Sequence, residues 1–213
     1  MTDQLKEFIR ENRRLFDKSE TEADYLKIYQ SLINALETCA YGDCIVGELT
    51  EVFFRKGIHP ERYLEELPPY FLYGSTLHEY TVPSHIKSIG EYSFCGALNL
   101  EKIQFPSNLQ SIDGGAFESC YGLKKLDIPS SVTKISDFAF SDCNHLEALH
   151  LPILNHKIET NTLDYCTNLS HIYFDGTAEE WMDKMWNKYA FQDLPKWLII
   201  HCTDENIELN DII

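Results

Sequence analysis

One interval governs the middle of this chain. Leu77, Leu100, Leu123, Leu146 and Leu169 stand 23 residues apart. Pro83, Pro106, Pro129 and Pro152 keep the same step, and so do Ile89, Ile112, Ile135 and Ile158. Phe94, Phe117 and Phe140 form another column, with Leu163 in fourth place. Cys120, Cys143 and Cys166 form the last, with Ala97 standing in for the first. A fixed period of this size is the mark of a solenoid, in which each unit rests only on its neighbours.

Within a unit the order is Leu-x-x-Ile-x-Ile-Pro, then Ser-x-Val-x-x-Ile, then x-x-Ala-Phe-x-x-Cys. The first piece alternates apolar and polar residues (Leu100, Ile103, Phe105; Leu123, Leu126, Ile128), the pattern of a short strand with one buried face. Proline cannot donate to a ladder, so it ends that strand. A second extended piece carries Leu109 and Ile112, or Val132 and Ile135, and Ala-Phe-x-x-Cys returns the chain to the next unit. The few apolar side chains of one unit cannot outweigh the entropy of ordering its backbone, so the units must stack.

The Pro-Ser-x-Val-x-x-Ile and Ala-Phe-x-x-Cys-x-x-Leu motifs closely resemble the BspA-type (treponemal-type) bacterial leucine-rich repeat, from Leu77 to Phe174. The resemblance implies an α+β solenoid, a right-handed stack of parallel strands that serves as a protein-binding surface. The fourth unit departs from the pattern, with Ile153-Leu154-Asn155 for Ser-x-Val and Leu163 for Phe, as terminal repeats commonly do. Three segments are expected: an N-terminal helical cap over 1–73, the solenoid over 74–174 (four repeats plus a partial fifth), and a helix–strand cap over 175–213.

In the first segment Leu5, Phe8, Ile9, Leu15 and Phe16 trace one helix face. Ser19-Glu20-Thr21-Glu22 has the capping-box form and opens a second helix bearing Tyr25, Ile28, Tyr29, Leu32, Ile33 and Leu36. Leu49, Val52 and Phe53 mark a third helix, with Gly57 as its C-cap. Pro60 suits the first turn of a fourth, which Pro68-Pro69 stops. A helical lead, Gly-Ile-x-Pro-x-x-Tyr-Leu and then these repeats is similar to phage-encoded leucine-rich repeat proteins, which implies a viral protein acting inside a bacterium. In the last segment Thr177 and Glu180 form a capping box, and Trp181, Met185, Trp186 and Tyr189 are expected to be the buried helix face. Trp197–Cys202 reads as a final strand that finishes the ladder.

The formal net charge is −16, and acidic side chains outnumber basic ones in each segment. That excludes direct binding to nucleic acid or an anionic membrane. The Met-Thr-Asp-Gln-Leu-Lys start lacks a basic n-region and an apolar h-region, and no apolar run reaches a membrane-spanning length, so a cytoplasmic protein is expected. The seven cysteines show no paired C-x-x-C spacing. Cys120, Cys143 and Cys166 are expected to line up as buried free thiols in a reducing compartment.

No nucleophile elbow, phosphate loop or H-E-x-x-H is present, so neither an enzyme nor a cofactor is expected. Gly114-Gly115 lies in a repeat turn, and His201-Cys202 lacks further ligands at suitable spacing for a metal. His150 and His171 fall on one sheet face, where two surface histidines are a simpler reading than a metal or acid–base pair. Solenoids bind through the outward positions of their strands. One outward column is Glu79, Lys102, Lys125, Ala148 and His171; the other is Thr81, Gln104, Asp127, His150 and Tyr173. This polar face suits a protein epitope, with Tyr173, His171 and His150 as its strongest contact. Three functions are open: a protein binder, for instance a phage inhibitor of a host defence or regulatory protein; an acidic mimic of nucleic acid; or a self-associating structural subunit.

Overall fold

The computed structural model describes residues 59–191 and 193–212, with Thr21, Asp24, Lys27, Tyr29, Ser31, Thr50, Phe54 and Gly57. Most of the helix positions expected over 1–58 lie outside the described residues. Of those described, Thr21 caps a helix by accepting from Asp24 N at 3.3 Å. Gly57 takes φ +74° and donates to Phe54 O at 2.9 Å, as a C-cap should. Pro60–Tyr63 is a 3-10 turn rather than an α-helix.

From there the chain coils into a β-solenoid with two strands per turn. β1 (Glu66–Leu67), β3 (Ser88–Ile89), β5 (Ser111–Ile112) and β7 (Lys134–Ile135) pair in parallel along one side. β2 (Glu79–Thr81) and β4 (Lys102–Gln104) pair along another. The same side continues as β6 (Lys125–Asp127), β8 (Ala148–Leu151), β9 (His171–Phe174) and β10 (Ile199–His201) in parallel, with β11 (Asn206–Glu208) returning antiparallel. The ladder is interrupted between β4 and β6. Phe105 sits there in the column of Ile128 and Leu151; it is only partly buried and turns edge-on to Phe117 at 5.8 Å.

β1 adds a rung N-terminal to residue 74, where the 23-residue period begins. Leu67 pairs with Ile89, and Leu72 N donates to Ser93 O at 2.6 Å. Leu72 thus fills the place that Phe94 fills one turn later. At the other end Ile158 is buried, but no strand forms around it. Its N–H donates to Met185 O at 3.4 Å and its carbonyl accepts from Asn187 Nδ2 at 2.9 Å, so the C-terminal cap takes over that edge.

The third side of each turn is neither strand nor helix. Tyr92, Phe94 and Gly96 N donate to Gly114, Ala116 and Glu118 O of the next turn at 3.0, 2.8 and 2.8 Å. Gly115, Phe117 and Ser119 repeat the pattern onto Asp137, Ala139 and Ser141. This alternation needs left-handed residues at two places per turn. They are Tyr92, Gly115 and Phe138 in one column, and Gly96, Ser119, Asp142 and Tyr165 in the other, with φ between 54° and 69°. Bulky residues adopt that region at a cost of about 1 kcal/mol each, offset here by a hydrogen bond to the neighbouring turn.

The core lies between these three sides. Phe94, Phe117 and Phe140 stack at centroid distances of 5.0 and 6.0 Å. Leu100, Leu123, Leu146 and Leu169 are fully buried beside them. In the cap Thr177 and Glu180 make both capping-box bonds, at 3.2 and 3.1 Å. The helix they open, α1 (Ala178–Glu180), widens at once into a π-turn (Trp181–Met185), and a short α2 (Lys188–Phe191) follows. Trp181 and Met185 are buried as expected, but Tyr189 is exposed and Phe191 fills the core instead. Trp197 also lies outside β10, which is confined to Ile199–His201 and is followed by β11 rather than ending the ladder, and it is largely exposed.

Candidate functional site

The register places the two outward columns as rows. Glu79 pairs with Lys102 and Thr81 with Gln104. Beyond the interruption Lys125, Ala148 and His171 form one row, while Asp127, His150 and Tyr173 form the other. The residues between them, Leu126, Leu149 and Ile172, are buried. Inward–outward alternation along each strand therefore delivers the polar side chains to one face.

The rows end on β10, whose Ile199 pairs with His171 and whose His201 pairs with Tyr173. This makes a cluster at the C-terminal end of the face. The Tyr173 ring stacks on His201 at 4.6 Å, and His171 Nδ1 lies 3.0 Å from His201 Nε2. Asn206 Oδ1, 3.1 Å from His201 Nδ1, accepts the proton there. His201 Nε2 is then the acceptor, and His171 Nδ1–H donates to it. His150 does not join this pair. Its Nε2–H donates to Asp175 Oδ1 at 2.8 Å, with each side chain 37% exposed.

Sequence reasoning therefore placed His150, His171 and Tyr173 on one face but missed His201, and it weighed His150 with His171 where the structure joins His171 to His201. β10 follows β9 after an interval that breaks the 23-residue period, so no column pointed to His201. The one available signal was the alternation in Ile199-Ile200-His201. Glu79, Thr81, Lys102, Gln104, Lys125 and Asp127 are all exposed, in a looser array with no comparable ring contacts. Among the described residues, no group of three or more His, Cys, Asp or Glu is placed to hold a metal ion. No described helix is long and apolar enough to cross a membrane.

Behind the face runs a ladder of thiols. Cys120, Cys143 and Cys166 Sγ donate to Phe94, Phe117 and Phe140 O at 3.1, 3.0 and 3.1 Å. All three are fully buried and free. Burial pushes the Cys143 thiol up to about 12 and raises Cys120 and Cys166 as well. These sulfurs are packing atoms with a hydrogen bond each, not nucleophiles.

Residues 65–196 match the BspA type leucine rich repeat region in six copies. The chain belongs to this family of leucine-rich repeat proteins. Among solved structures it is similar to the leucine-rich repeat protein of T. pallidum, with 28% identity and a TM-score of 0.50, over 52% of each chain. A leucine-rich repeat protein from Eubacterium ventriosum is 24% identical with a TM-score of 0.53, over 65% of this chain and 36% of that one. The pneumococcal vaccine antigen PcpA is 17% identical with a TM-score of 0.52, over 70% of this chain and 41% of that one. The last two likenesses are of fold alone. The chain spans about half the length of the T. pallidum protein and less of the other two. No match is found among curated proteins.

Proposed function

We propose that this chain is a non-catalytic protein-binding module that receives a polar protein surface on its outward strand face. Tyr173, His171 and His150 form the centre of the contact, with Glu79, Thr81, Lys102, Gln104, Lys125 and Asp127 extending it along the solenoid. The observation that carries this reading is the Tyr173 ring, 45% exposed yet held against His201. A rigid, half-exposed aromatic within a polar field is the kind of residue on which binding energy concentrates. The family's repeats form protein-binding or surface-interaction modules, which supports the same reading.

The likeness of the N-terminal arrangement to phage-encoded repeat proteins, together with a core of free thiols, supports action in a bacterial cytoplasm. There the module would hold and inhibit a host defence or regulatory protein. A second reading rests on the net charge of −16, which favours a basic partner and therefore a nucleic-acid groove that the protein would occupy as a mimic.

Retention of proteins from bacterial lysate at low and high salt, by wild type, Tyr173→Ala and His150→Ala, tests both. The expected result is a host protein held through high salt and lost on Tyr173→Ala. Undiminished retention by both variants removes the outward-face reading. Partners that appear only at low salt and are displaced by DNA or RNA favour mimicry. A larger species without any partner would point to self-association.

A further inference from the structure

We infer that the cleft between the 3-10 turn Pro60–Tyr63 and the first solenoid turn is a binding site for an organic cation, a guanidinium or ammonium group. The cleft has a volume of about 660 Å³, and its described lining includes Phe54, His59, Glu61, Arg62, Glu79 and Tyr80. That size suits a small ligand or a single long side chain.

Glu61 is the centre of the argument. Its residue is 5% exposed, which is unusual for a carboxylate without a full set of partners. Oε1 is 3.0 Å from His59 Nδ1, while the buried Oε2 has no hydrogen-bond partner among the described residues. The buried hydroxyl of Tyr80 in the same lining has none among them either. The backbone of this turn is tied to the solenoid, because His85 Nε2–H donates to the Glu61 carbonyl at 2.9 Å, and His59 holds the carboxylate through Oε1. One wall is aromatic: Phe54 stacks on His59 at 5.1 Å and on Tyr80 at 6.1 Å. A desolvated carboxylate oxygen beside an aromatic wall selects a cation carrying N–H donors. Exposed Glu79 adds negative charge at the rim. Arg62, also exposed, is the positive side chain among the lining residues named here.

A free cation and one presented by a polypeptide share this chemistry, and two probes separate the sources. Methylguanidinium and the capped tripeptide Ac-Gly-Arg-Gly-amide are titrated into the full chain by NMR, with Ac-Gly-norleucine-Gly-amide as the uncharged control. We expect saturable binding of a cationic probe, intermolecular NOEs to the Tyr80 and Phe54 rings, and about tenfold or greater weakening in folded Glu61→Gln. Tripeptide binding well above that of methylguanidinium assigns the site to a partner's side chain; equal binding assigns it to a free cation. Absence of saturation by either cation up to about 10 mM overturns the inference. So does equal binding of the norleucine control, unchanged affinity in Glu61→Gln, or saturation without those NOEs. The NOEs are read on wild type and stand even if the variant does not fold. Glu79, Thr81 and Gln104 border both this cleft and the outward face. The readouts here are Glu61, Phe54 and Tyr80, while the outward-face test uses Tyr173 and His150 at the other end of the strand array, so the two readings fail separately.

Discussion

The ring of Tyr173 lies nearly flat against that of His201, with centroids 4.6 Å apart and planes 11° from parallel. The contact joins β9, the last strand that follows the 23-residue period, to β10, which does not. It therefore ties the C-terminal cap to the repeats through the outward face as well as through the core. Removing the ring by Tyr173→Ala should lower stability by about 1 kcal/mol, the usual worth of such a stack, without unfolding the chain. Urea unfolding of the variant checks this and qualifies it for binding assays.

Phe117 is in the middle of the aromatic column, between Phe94 and Phe140. Phe117→Ala opens a cavity that neither neighbour can fill, because each is fixed by its own turn. The expected loss is about 3–5 kcal/mol, read as a lower urea midpoint. Phe117→Leu, the residue type the chain itself uses at position 163, should cost clearly less.

Gly115 and Gly96 both adopt left-handed backbone, yet their substitutions should differ. A Cβ on Gly115 would meet the Tyr92 ring at 2.3 Å, whereas the nearest described atoms to one on Gly96 are those of Gly74 at 3.9 Å. Gly96→Ala should cost about 1 kcal/mol from backbone strain alone. Gly115→Ala should cost more, and Tyr92→Ala in the same chain should recover part of the difference. Thermal unfolding of the three variants gives the ranking.

The thiol ladder predicts a chemical pattern. At pH about 8, Cys120, Cys143 and Cys166 should resist alkylation in the folded protein and react fully in denaturant, as mapped by mass spectrometry. Cys202, half-buried and pushed up to about 11, should react slowly from the folded state. Ready modification of Cys143 in the native protein would contradict the packing described.

Burial raises the Glu61 carboxyl above its ordinary value, with His59 and Arg62 only partly opposing the shift. A carboxyl raised in the folded state binds its proton more tightly there than in the unfolded chain. Its stabilising contribution is therefore complete below the unfolded value near 4.5 and is lost as pH rises through the folded value. Glu61→Gln should remove that dependence, matching wild type in acid and exceeding its stability near neutrality when no cation is added. Urea midpoints across the pH range test the sign.

The columns that proved legible were those in which side-chain type repeats because the environment does. Leu, Ile, Phe and Cys each occupy one small, dry site per turn, and the Thr177–Glu180 box announces its own hydrogen bonds. Three features stayed hidden. β1 belongs to the ladder, but Leu67, Leu72 and Gly74 lack the motif residues and sit one residue out of period. The left-handed positions of the third side are held by Tyr92, Phe138 and Tyr165 as readily as by glycine, so their conformation comes from the neighbouring turn rather than from local preference. His201 reached the site by strand pairing across the cap, a contact that no repeat could encode.

The antiparallel return of β11 also bears on how such a chain can change over evolutionary time. A parallel ladder offers the same edge after every turn, so one more unit could always be spliced in between existing ones. β11 breaks that equivalence: only β10 can sit beneath it, and the cap that buries Trp181 and holds Ile158 must move as a block with its last turn. Lengthening is therefore confined to whole-turn insertions upstream of Ile158, and one placed after the Glu61 cleft would carry Tyr173 and His201 away from it by the spacing of one strand.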